Sequence, residues 1–302
     1  MLRNGCNVLH FIQLKGNKMS YDYDCINNGW LNIAHGDGVF VAVSDFSNKS
    51  ATSADNGKTW TRHDMPIGDW HSVAYGNDVF VAVNLLYNTS ARSTDNGKTW
   101  TQHVMPNGEG GSVAYGDGVF VAVNYSSNTC ARSTDNGVTW TKHVMPNREW
   151  ESVAYGDGTF VAVSYSSSTC ARSTDNGKTW TQHDMPIDGW RGITYGDGVF
   201  VAVSSSYSTC ATSTDNGKTW TKHDMPIGGW CSVAYGDGVF VAVSYSSNTS
   251  VTSTDNGETW TQHDMPDGDW CSVAYGDGVF VAVSSSSNTS VTSTDNGETW
   301  KG

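Results

Sequence analysis

The chain has 302 residues, of which 30 are acidic and 17 are Lys or Arg, and its formal charge is −13. Because phosphate binding needs a concentrated basic surface, this acidic balance argues against nucleic acid as the main partner. Charged residues make up 16% and aromatic residues 12% of the chain, unlike the composition of disordered proteins. No apolar run approaches the ~20 residues of a membrane-spanning helix, so we expect no membrane insertion.

Residues 1–18 stand outside the pattern that fills the rest of the chain. Their apolar residues, among them Leu9 and Phe11, are interrupted by His10 and Gln13, which is untypical of the apolar region of a signal peptide. We therefore expect an N-terminal extension without an export signal, and the compartment stays open. The seven cysteines form an odd set that does not by itself indicate an oxidising environment.

One octapeptide dominates the sequence. STDNGKTW at residues 93–100 returns at 133, 173, 213, 253 and 293 with changes only at its sixth position, and as SADNGKTW at residue 53. The interval is 40 residues each time, so that seven copies fill the chain from Tyr21 to Trp300. A period of about 20 to 50 residues is typical of solenoids, propellers and arrays.

Each period divides into four short β-like runs. In the sixth copy these are WCSVAY, VFVAVSYS, SVTSTD and TWTQHDM, and glycine-containing hairpin turns lie at Gly236-Asp237-Gly238 and Asp255-Asn256-Gly257. No part of the period indicates a helix. Four antiparallel strands repeated seven times predict an all-β fold, a seven-bladed β-propeller of four-stranded blades. Residues 19–302 would form this single domain.

Closure of the ring raises a question about the last blade. Only six of the seven octapeptides are followed by a full outermost strand, because the sequence stops at Gly302. Aligning Lys18 to Gly29 with Lys58 to Asp69 places a matching segment at the other end of the chain. We expect residues 19–29 to contain the closing outer strand, with residues 19–26 completing the seventh blade.

The pattern S-x-D-x-G-x-T-W resembles the Asp-box, or bacterial neuraminidase repeat, of the sialidase-like propeller superfamily. The resemblance covers nearly the whole chain beyond residue 20. In such a hairpin the aspartate accepts backbone N–H bonds, the glycine adopts positive φ and the tryptophan buries its ring. The resemblance implies a structural role for the aspartate of each box: Asp55, Asp95, Asp135, Asp175, Asp215, Asp255 and Asp295.

The resemblance does not extend to a sialidase active site. Such a site needs three arginines around one carboxylate, whereas Arg92, Arg132 and Arg172 share one column on successive blades, away from the axis. The Arg-Ile-Pro motif of sialidases is absent. Two further relatives share the repeat, xyloglucanase-type glycoside hydrolases and photosystem II assembly factors, but this chain has one propeller and no arginine-rich patch. We expect no enzyme and no catalytic residues.

Among nearly identical blades, variation concentrates around the predicted axis. The column after the innermost-strand tryptophan changes in every blade but the last two: Leu31, His71, Gly111, Glu151, Arg191, Cys231 and Cys271. The loops between second and third strands vary as well, mainly in their tyrosines. Both features belong to the face opposite the boxes, where sialidase-like proteins bind ligands.

A funnel of aromatic and polar groups on that face would suit a sugar, because aromatic faces stack on pyranose rings. The candidate ligand-binding residues are six tryptophans with three polar residues: Trp30, Trp70, Trp150, Trp190, Trp230, Trp270, His71, Glu151 and Arg191. The alternative is that each tryptophan packs between blades and that the variable column drifts neutrally. Gly110 replaces the tryptophan in one blade, which would leave that blade's site empty or open the funnel.

No metal or cofactor is predicted. Six histidines form one column, one per blade on the outermost strand, too far apart to share an ion. They are His63, His103, His143, His183, His223 and His263. Cys231 and Cys271 lie on adjacent blades near the axis, where both a bridge and two free thiols are open possibilities.

The sequence supports three functional hypotheses. The first is a non-enzymatic binding propeller, lectin-like, that binds glycans on the loop face around the funnel. The second is a structural or protein-interaction scaffold using the same face, and the third is a sialidase-like glycoside hydrolase. Repeated equal sites would favour the lectin, one asymmetric patch the scaffold, and a carboxylate pair in a deep funnel the enzyme. In each case we expect a monomer.

Overall fold

A computed structural model describes residues 12–15, 18–21, 29–44, 47–85, 87–106, 110–146 and 149–302. Two N-terminal strands, β1 (Ile12–Lys15) and β2 (Lys18–Tyr21), pair with each other as an antiparallel hairpin. All further strands belong to seven antiparallel sheets, which confirms the predicted all-β seven-bladed propeller. Within the described part of the chain, no helix is long and apolar enough to cross a membrane.

Blades are numbered 1 to 7 along the chain, and each contributes its first strand to the ring around the axis. The innermost strands are β3 (Asn32–Gly36), β7 (Trp70–Gly76), β11 (Gly110–Gly116), β15 (Trp150–Gly156), β19 (Trp190–Gly196), β23 (Trp230–Gly236) and β27 (Trp270–Gly276). The second strands are β4 (Val39–Val43), β8 (Val79–Asn84), β12 (Val119–Asn124), β16 (Thr159–Ser164), β20 (Val199–Ser204), β24 (Val239–Ser244) and β28 (Val279–Ser284).

The third and fourth strands form the outer half of each blade. The third strands are β5 (Lys49–Ser53), β9 (Thr89–Ser93), β13 (Thr129–Ser133), β17 (Thr169–Ser173), β21 (Thr209–Ser213), β25 (Thr249–Ser253) and β29 (Ser290–Ser293). The outermost strands are β6 (Thr61–Asp64), β10 (Thr101–Val104), β14 (Thr141–Val144), β18 (Thr181–Asp184), β22 (Thr221–Asp224) and β26 (Thr261–Asp264).

The hydrophobic core lies between blades rather than within them. The second strand is buried along nearly its whole length, which explains its unbroken Val-Phe-Val-Ala-Val sequence. Seven apolar clusters fill the seven interfaces between neighbouring blades. The cluster around Phe40 and Val281 joins blade 1 to blade 7, so the ring is closed by core packing.

Of the predicted closing strand, residues 19–29, the structure describes residues 19–21 and residue 29, so the prediction stays untested. Residues 19–21 belong to β2, which pairs with β1 instead of with blade 7, and residues 22–26 lie outside the described residues. Blade 7 has three strands and one further bridge, in which Lys301 exchanges two backbone hydrogen bonds with Thr292. Lys301, which follows the seventh box, therefore pairs with the third strand of blade 7 at the place where a fourth strand would begin. The predicted extension, residues 1–18, is described only at 12–15 and 18.

Two faces of the ring differ in their loops. The box face carries the turns between first and second strands and the Asp-boxes between third and fourth strands. The loop face carries the loops between second and third strands and the connections from one blade to the next. Equivalent loops meet at these two faces because every blade repeats the same hairpin order.

Candidate functional site

The variable column forms a ring at the loop-face mouth of the central channel. In blades 2 to 7 its residue is the extra residue of a β-bulge: Trp150 pairs with Ser164 and Ser152 with Val163, which leaves Glu151 between them. A bulge re-aims the side chain that it inserts. We call this set the mouth ring: Leu31, His71, Gly111, Glu151, Arg191, Cys231 and Cys271.

Two members of the mouth ring are brought together. Glu151 in blade 4 and Arg191 in blade 5 form an ion pair, with 3.6 Å between Oε1 and Nε. Their side chains are 12% and 31% exposed, so the pair is partly desolvated and the guanidinium still reaches solvent. The Arg191 Cζ also lies 5.9 Å from the ring centroid of Tyr245, which is within cation–π range.

The ion pair raises the pKa of the Arg191 side chain despite its burial. Burial alone would lower the pKa of Arg191, but the Glu151 carboxylate and other nearby groups outweigh it and raise the pKa above its ordinary value. Burial raises the pKa of the Cys231 thiol to about 11, although Arg191 opposes that shift. A thiol whose pKa is raised in this way is a weaker nucleophile at neutral pH than an ordinary cysteine.

His71 is separated from the ion pair, and the two cysteines of the ring lie in the blades that follow it. His71 occupies the bulge of blade 2, and Gly111 of blade 3 separates it from Glu151. No disulfide joins Cys231 and Cys271, so the bridge that the sequence left open is not formed. The Cys231 Sγ lies 3.2 Å from the Trp270 carbonyl oxygen in the next blade.

The innermost-strand tryptophans are core residues. Trp30, Trp70, Trp150, Trp190, Trp230 and Trp270 are all buried, five of them completely or almost so. The Trp70 Nε1 donates to the carbonyl oxygen of Pro66, and Trp230 and Trp270 repeat this bond. With their faces covered they offer no stacking surface to a ligand, and the alternative of packing between blades describes their position.

The blade that lacks this tryptophan is not open either. A Cβ on Gly110 would lie 2.8 Å from the Val83 Cβ, so the neighbouring blade has closed onto the glycine. Because even a Cβ at residue 110 would clash with blade 2, this position holds no empty space of the size of an indole.

Tyrosines of the loop face supply the accessible aromatic surface. Tyr87, Tyr165, Tyr207 and Tyr245 are exposed, each in the loop between second and third strands. The sequence shows the variation of this loop, but Tyr207 stands two positions later in its loop than Tyr245. The repeat columns therefore do not indicate which tyrosine ring contacts Arg191.

The boxes on the opposite face have the geometry expected of them. The Thr59 N–H donates to Asp55 Oδ1 at 2.9 Å and the Thr59 hydroxyl donates to Oδ2 at 2.6 Å. The Ser53 hydroxyl donates to Asp55 and accepts from the Gly57 N–H, where the backbone has a φ of 80°. The threonine hydroxyl bond, the largest cause, and the other bonds lower the pKa of Asp55 to about 2.

Each box is also tied to the preceding blade. The box tryptophan donates to a side chain of that blade's third strand, as in Trp100 to Ser50 at 3.0 Å. The arginine column does the same from the other direction: Nε of Arg132 donates to the Asn176 carbonyl in the next box at 2.6 Å. Arg92 and Arg172 make equivalent bonds, so these three arginines join blades instead of converging on an anion.

The histidine column has local partners. The His63 Nε2 lies 2.9 Å from the Thr52 hydroxyl, and His223 and His263 repeat this contact. Across the described ranges, no group of three or more His, Cys, Asp or Glu side chains could hold a metal ion.

Comparison with known proteins identifies the repeat. A family model described as "BNR/Asp-box repeat" matches residues 91–102, 171–182 and 211–222. The chain is a seven-bladed propeller that carries BNR/Asp-box repeats. No curated protein has a significantly similar sequence.

Solved structures that resemble the chain are propellers of diverse kinds. A streptogramin B lyase is 14% identical with a TM-score of 0.78, over 86% of this chain and 91% of the other. YCF48 bound to a D1 peptide is 15% identical with a TM-score of 0.68, over 86% and 90%. The WD40 propeller domain of Doa1 is 13% identical with a TM-score of 0.72, over 89% and 94%. Identities this low show the shared fold alone.

Proposed function

We propose that the chain is a non-enzymatic binding propeller that holds an extended segment of a protein partner at the mouth ring on its loop face. The observation that carries the proposal is the Glu151–Arg191 ion pair with Tyr245 beside it. This group occurs once, in the sector of blades 4 to 6, and so it is one asymmetric patch rather than seven equal sites. That arrangement favours an interaction scaffold.

The chemistry of the patch fits a peptide. Tyrosine and arginine are the residues most often found at the energetic centres of protein interfaces, where one rigid ring and one guanidinium anchor the partner. Arg191 can turn part of its guanidinium to a carboxylate or backbone carbonyl of the ligand while Glu151 accepts a backbone N–H. Tyr245 adds an exposed aromatic surface next to Arg191, and Tyr165 is exposed in the corresponding loop of blade 4.

Glycan binding on the same face is the second candidate. It would use the exposed loop tyrosines, such as Tyr87 and Tyr207, because the innermost-strand tryptophans are covered. A glycoside hydrolase is disfavoured, because Glu151 is the one carboxylate of the mouth ring and it is already paired with Arg191, whereas such an enzyme uses two carboxylates.

The structural neighbours are consistent with a protein ligand. YCF48 is described with a bound D1 peptide, and Doa1 contributes a WD40 propeller. Both share only the fold with this chain, and YCF48 with its D1 peptide supports the proposal as an example of a ligand that a propeller can bind.

A random peptide display library, selected against the immobilised protein, tests the proposal. We expect enriched peptides whose affinity falls at least tenfold with Arg191→Met or Tyr245→Ala. Lys222→Met, an exposed cation on the outermost strand of blade 5, is the matched control and should leave affinity unchanged. Failure to enrich any peptide, or equal losses in the control, would overturn the proposal, and a glycan array run beside it tests the second candidate.

A further inference from the structure

A second concave surface lies on the rim, between the outermost strand of blade 4 and the box of blade 5. This groove has a volume of about 530 Å³ and opens to solvent. Six residues line it: Gln182, His183, Asp184, Lys218, Thr219 and Trp220. Its volume lies in the range of small-molecule sites, and it has no part in the loop face described above.

The wall formed by the box is rigid. Asp215 accepts the N–H groups of Lys218 and Thr219 at 3.1 Å and 2.9 Å. The Trp220 Nε1 donates to the Cys170 Sγ at 3.2 Å, which fixes the half-buried indole against blade 4. A wall held in this way loses little conformational entropy when a ligand binds.

The wall formed by β18 carries polar groups on a paired strand. His183 stands opposite Cys170, and its Nε2 lies 3.2 Å from the Thr181 hydroxyl. Asp184 stands opposite Thr169. In blade 1 the corresponding Asp64 pairs with Lys49, and no lysine occupies that place in blade 4.

The equivalent grooves at the other interfaces differ in the same positions. Between blades 2 and 3, Val104 and Val138 replace Asp184 and Lys218. Between blades 6 and 7 the pair becomes Asp264 and Glu298, and between blades 5 and 6 it becomes Asp224 and Glu258. A carboxylate without an opposing lysine, an ammonium group and a half-buried indole therefore occur together at the interface of blades 4 and 5.

We propose that this rim groove binds a neutral pyranose sugar. The indole of Trp220 offers an apolar surface to the ring C–H groups, Asp184 accepts hydrogen bonds from hydroxyls, and Lys218 and Gln182 donate to ring and hydroxyl oxygens. One carboxylate and one ammonium leave no net charge to attract an ionic ligand. The groove is open at the rim, so the terminal residue of a longer glycan can enter it.

Saturation-transfer NMR with galactose, glucose, mannose and N-acetylglucosamine tests the proposal on the full chain. We expect transfer to at least one of the four sugars, and a loss of at least tenfold in its affinity for the variant Asp184→Val, Lys218→Val. These are the residues that the chain itself uses at 104 and 138, so the fold should tolerate them. The matched control is Asp264→Val, Glu298→Val, which should bind as the native protein does.

Two outcomes would overturn the rim groove as a sugar site. One is absence of transfer to all four sugars by the native protein. The other is a sugar whose affinity is unchanged in the rim variant, or is lost only with Arg191→Met at the mouth ring. Peptide binding at the mouth ring should be unaffected by the rim variant, so the two proposals fail independently.

Discussion

The indole Nε1 of Trp220, in the box of blade 5, donates a hydrogen bond of 3.2 Å to the Sγ of Cys170, in the third strand of blade 4. Trp100 and Ser50 form the same contact between blades 1 and 2 with a hydroxyl in place of the thiol. Partners in this contact are 50 residues apart, ten more than the repeat. The tryptophan of a box therefore joins its blade to the preceding blade by a hydrogen bond to that blade's third strand.

Replacement of Cys170 should separate packing from hydrogen bonding. Cys170→Ser supplies the acceptor that other blades use, so we expect a change in unfolding free energy below about 1 kcal/mol. Cys170→Val fills the site with a somewhat larger apolar side chain and removes the acceptor from the Trp220 N–H, which should cost about 1–3 kcal/mol. Urea denaturation of both variants gives the comparison, and equal costs would contradict the role of this bond.

Close approach of an aromatic ring to a glycine joins neighbouring innermost strands. A Cβ on Gly156 would lie 2.0 Å from the Cγ of Tyr195, whereas one on Gly158 would meet nothing within 4 Å. Gly156→Ala should therefore destabilise the fold by about 3 kcal/mol through overpacking. Gly158→Ala, at a φ of 70°, should cost about 1 kcal/mol through backbone strain alone. Thermal unfolding ranks the two, and a larger loss at Gly158 would refute the packing argument.

Stability should fall in acid because of the boxes. The folded-state pKa of Asp55 is about 2, below its value in the unfolded chain, and Asp215 is also lowered to about 2 by its threonine bonds despite the opposing effect of burial. A lowered pKa contributes stability above about pH 4, and that contribution is lost as the pH falls towards 2. Unfolding temperatures measured from pH 5 to pH 2 should drop, and Asp55→Asn should weaken the pH dependence while lowering stability at pH 5. A flat profile in the native protein would be inconsistent with this effect.

The Glu151–Arg191 pair should show measurable coupling. Removal of either partner leaves a partly desolvated charge, so Glu151→Gln and Arg191→Met should each destabilise the chain. The double variant should lose about 1 kcal/mol less unfolding free energy than the sum of the losses in the two single variants. Chemical denaturation of the native protein, the two single variants and the double variant gives this double-mutant cycle. If the two single losses in unfolding free energy simply add in the double variant, the ion pair contributes nothing to stability.

The architecture follows from the sequence because it depends on local, repeated signals. Hairpin turns, a buried second strand and a constant 40-residue interval specify strands and their order without reference to distant contacts. The same columns identified the box aspartates and the residues around the axis. Their chemistry, such as that of Asp55, is set within a single turn.

Side-chain direction was the part that the columns did not reveal. Trp150 and Glu151 are adjacent, yet a bulge sends the first into the core and the second to the mouth ring. The contact of Arg191 with Tyr245 joins two different columns across a blade interface. The side-chain direction at the bulge and the Arg191–Tyr245 contact both depend on how neighbouring blades pack, which the sequence of one repeat does not specify.

The central claim is that a ligand binds at the mouth ring. Amide hydrogen exchange, measured with and without a display-selected peptide, tests it most directly. We predict slower exchange in the loop-face segments 165–168, 205–208 and 245–248, around the Glu151–Arg191 pair, with the boxes unchanged. Protection confined to the box turns or to the outermost strands would place the ligand elsewhere and contradict the account.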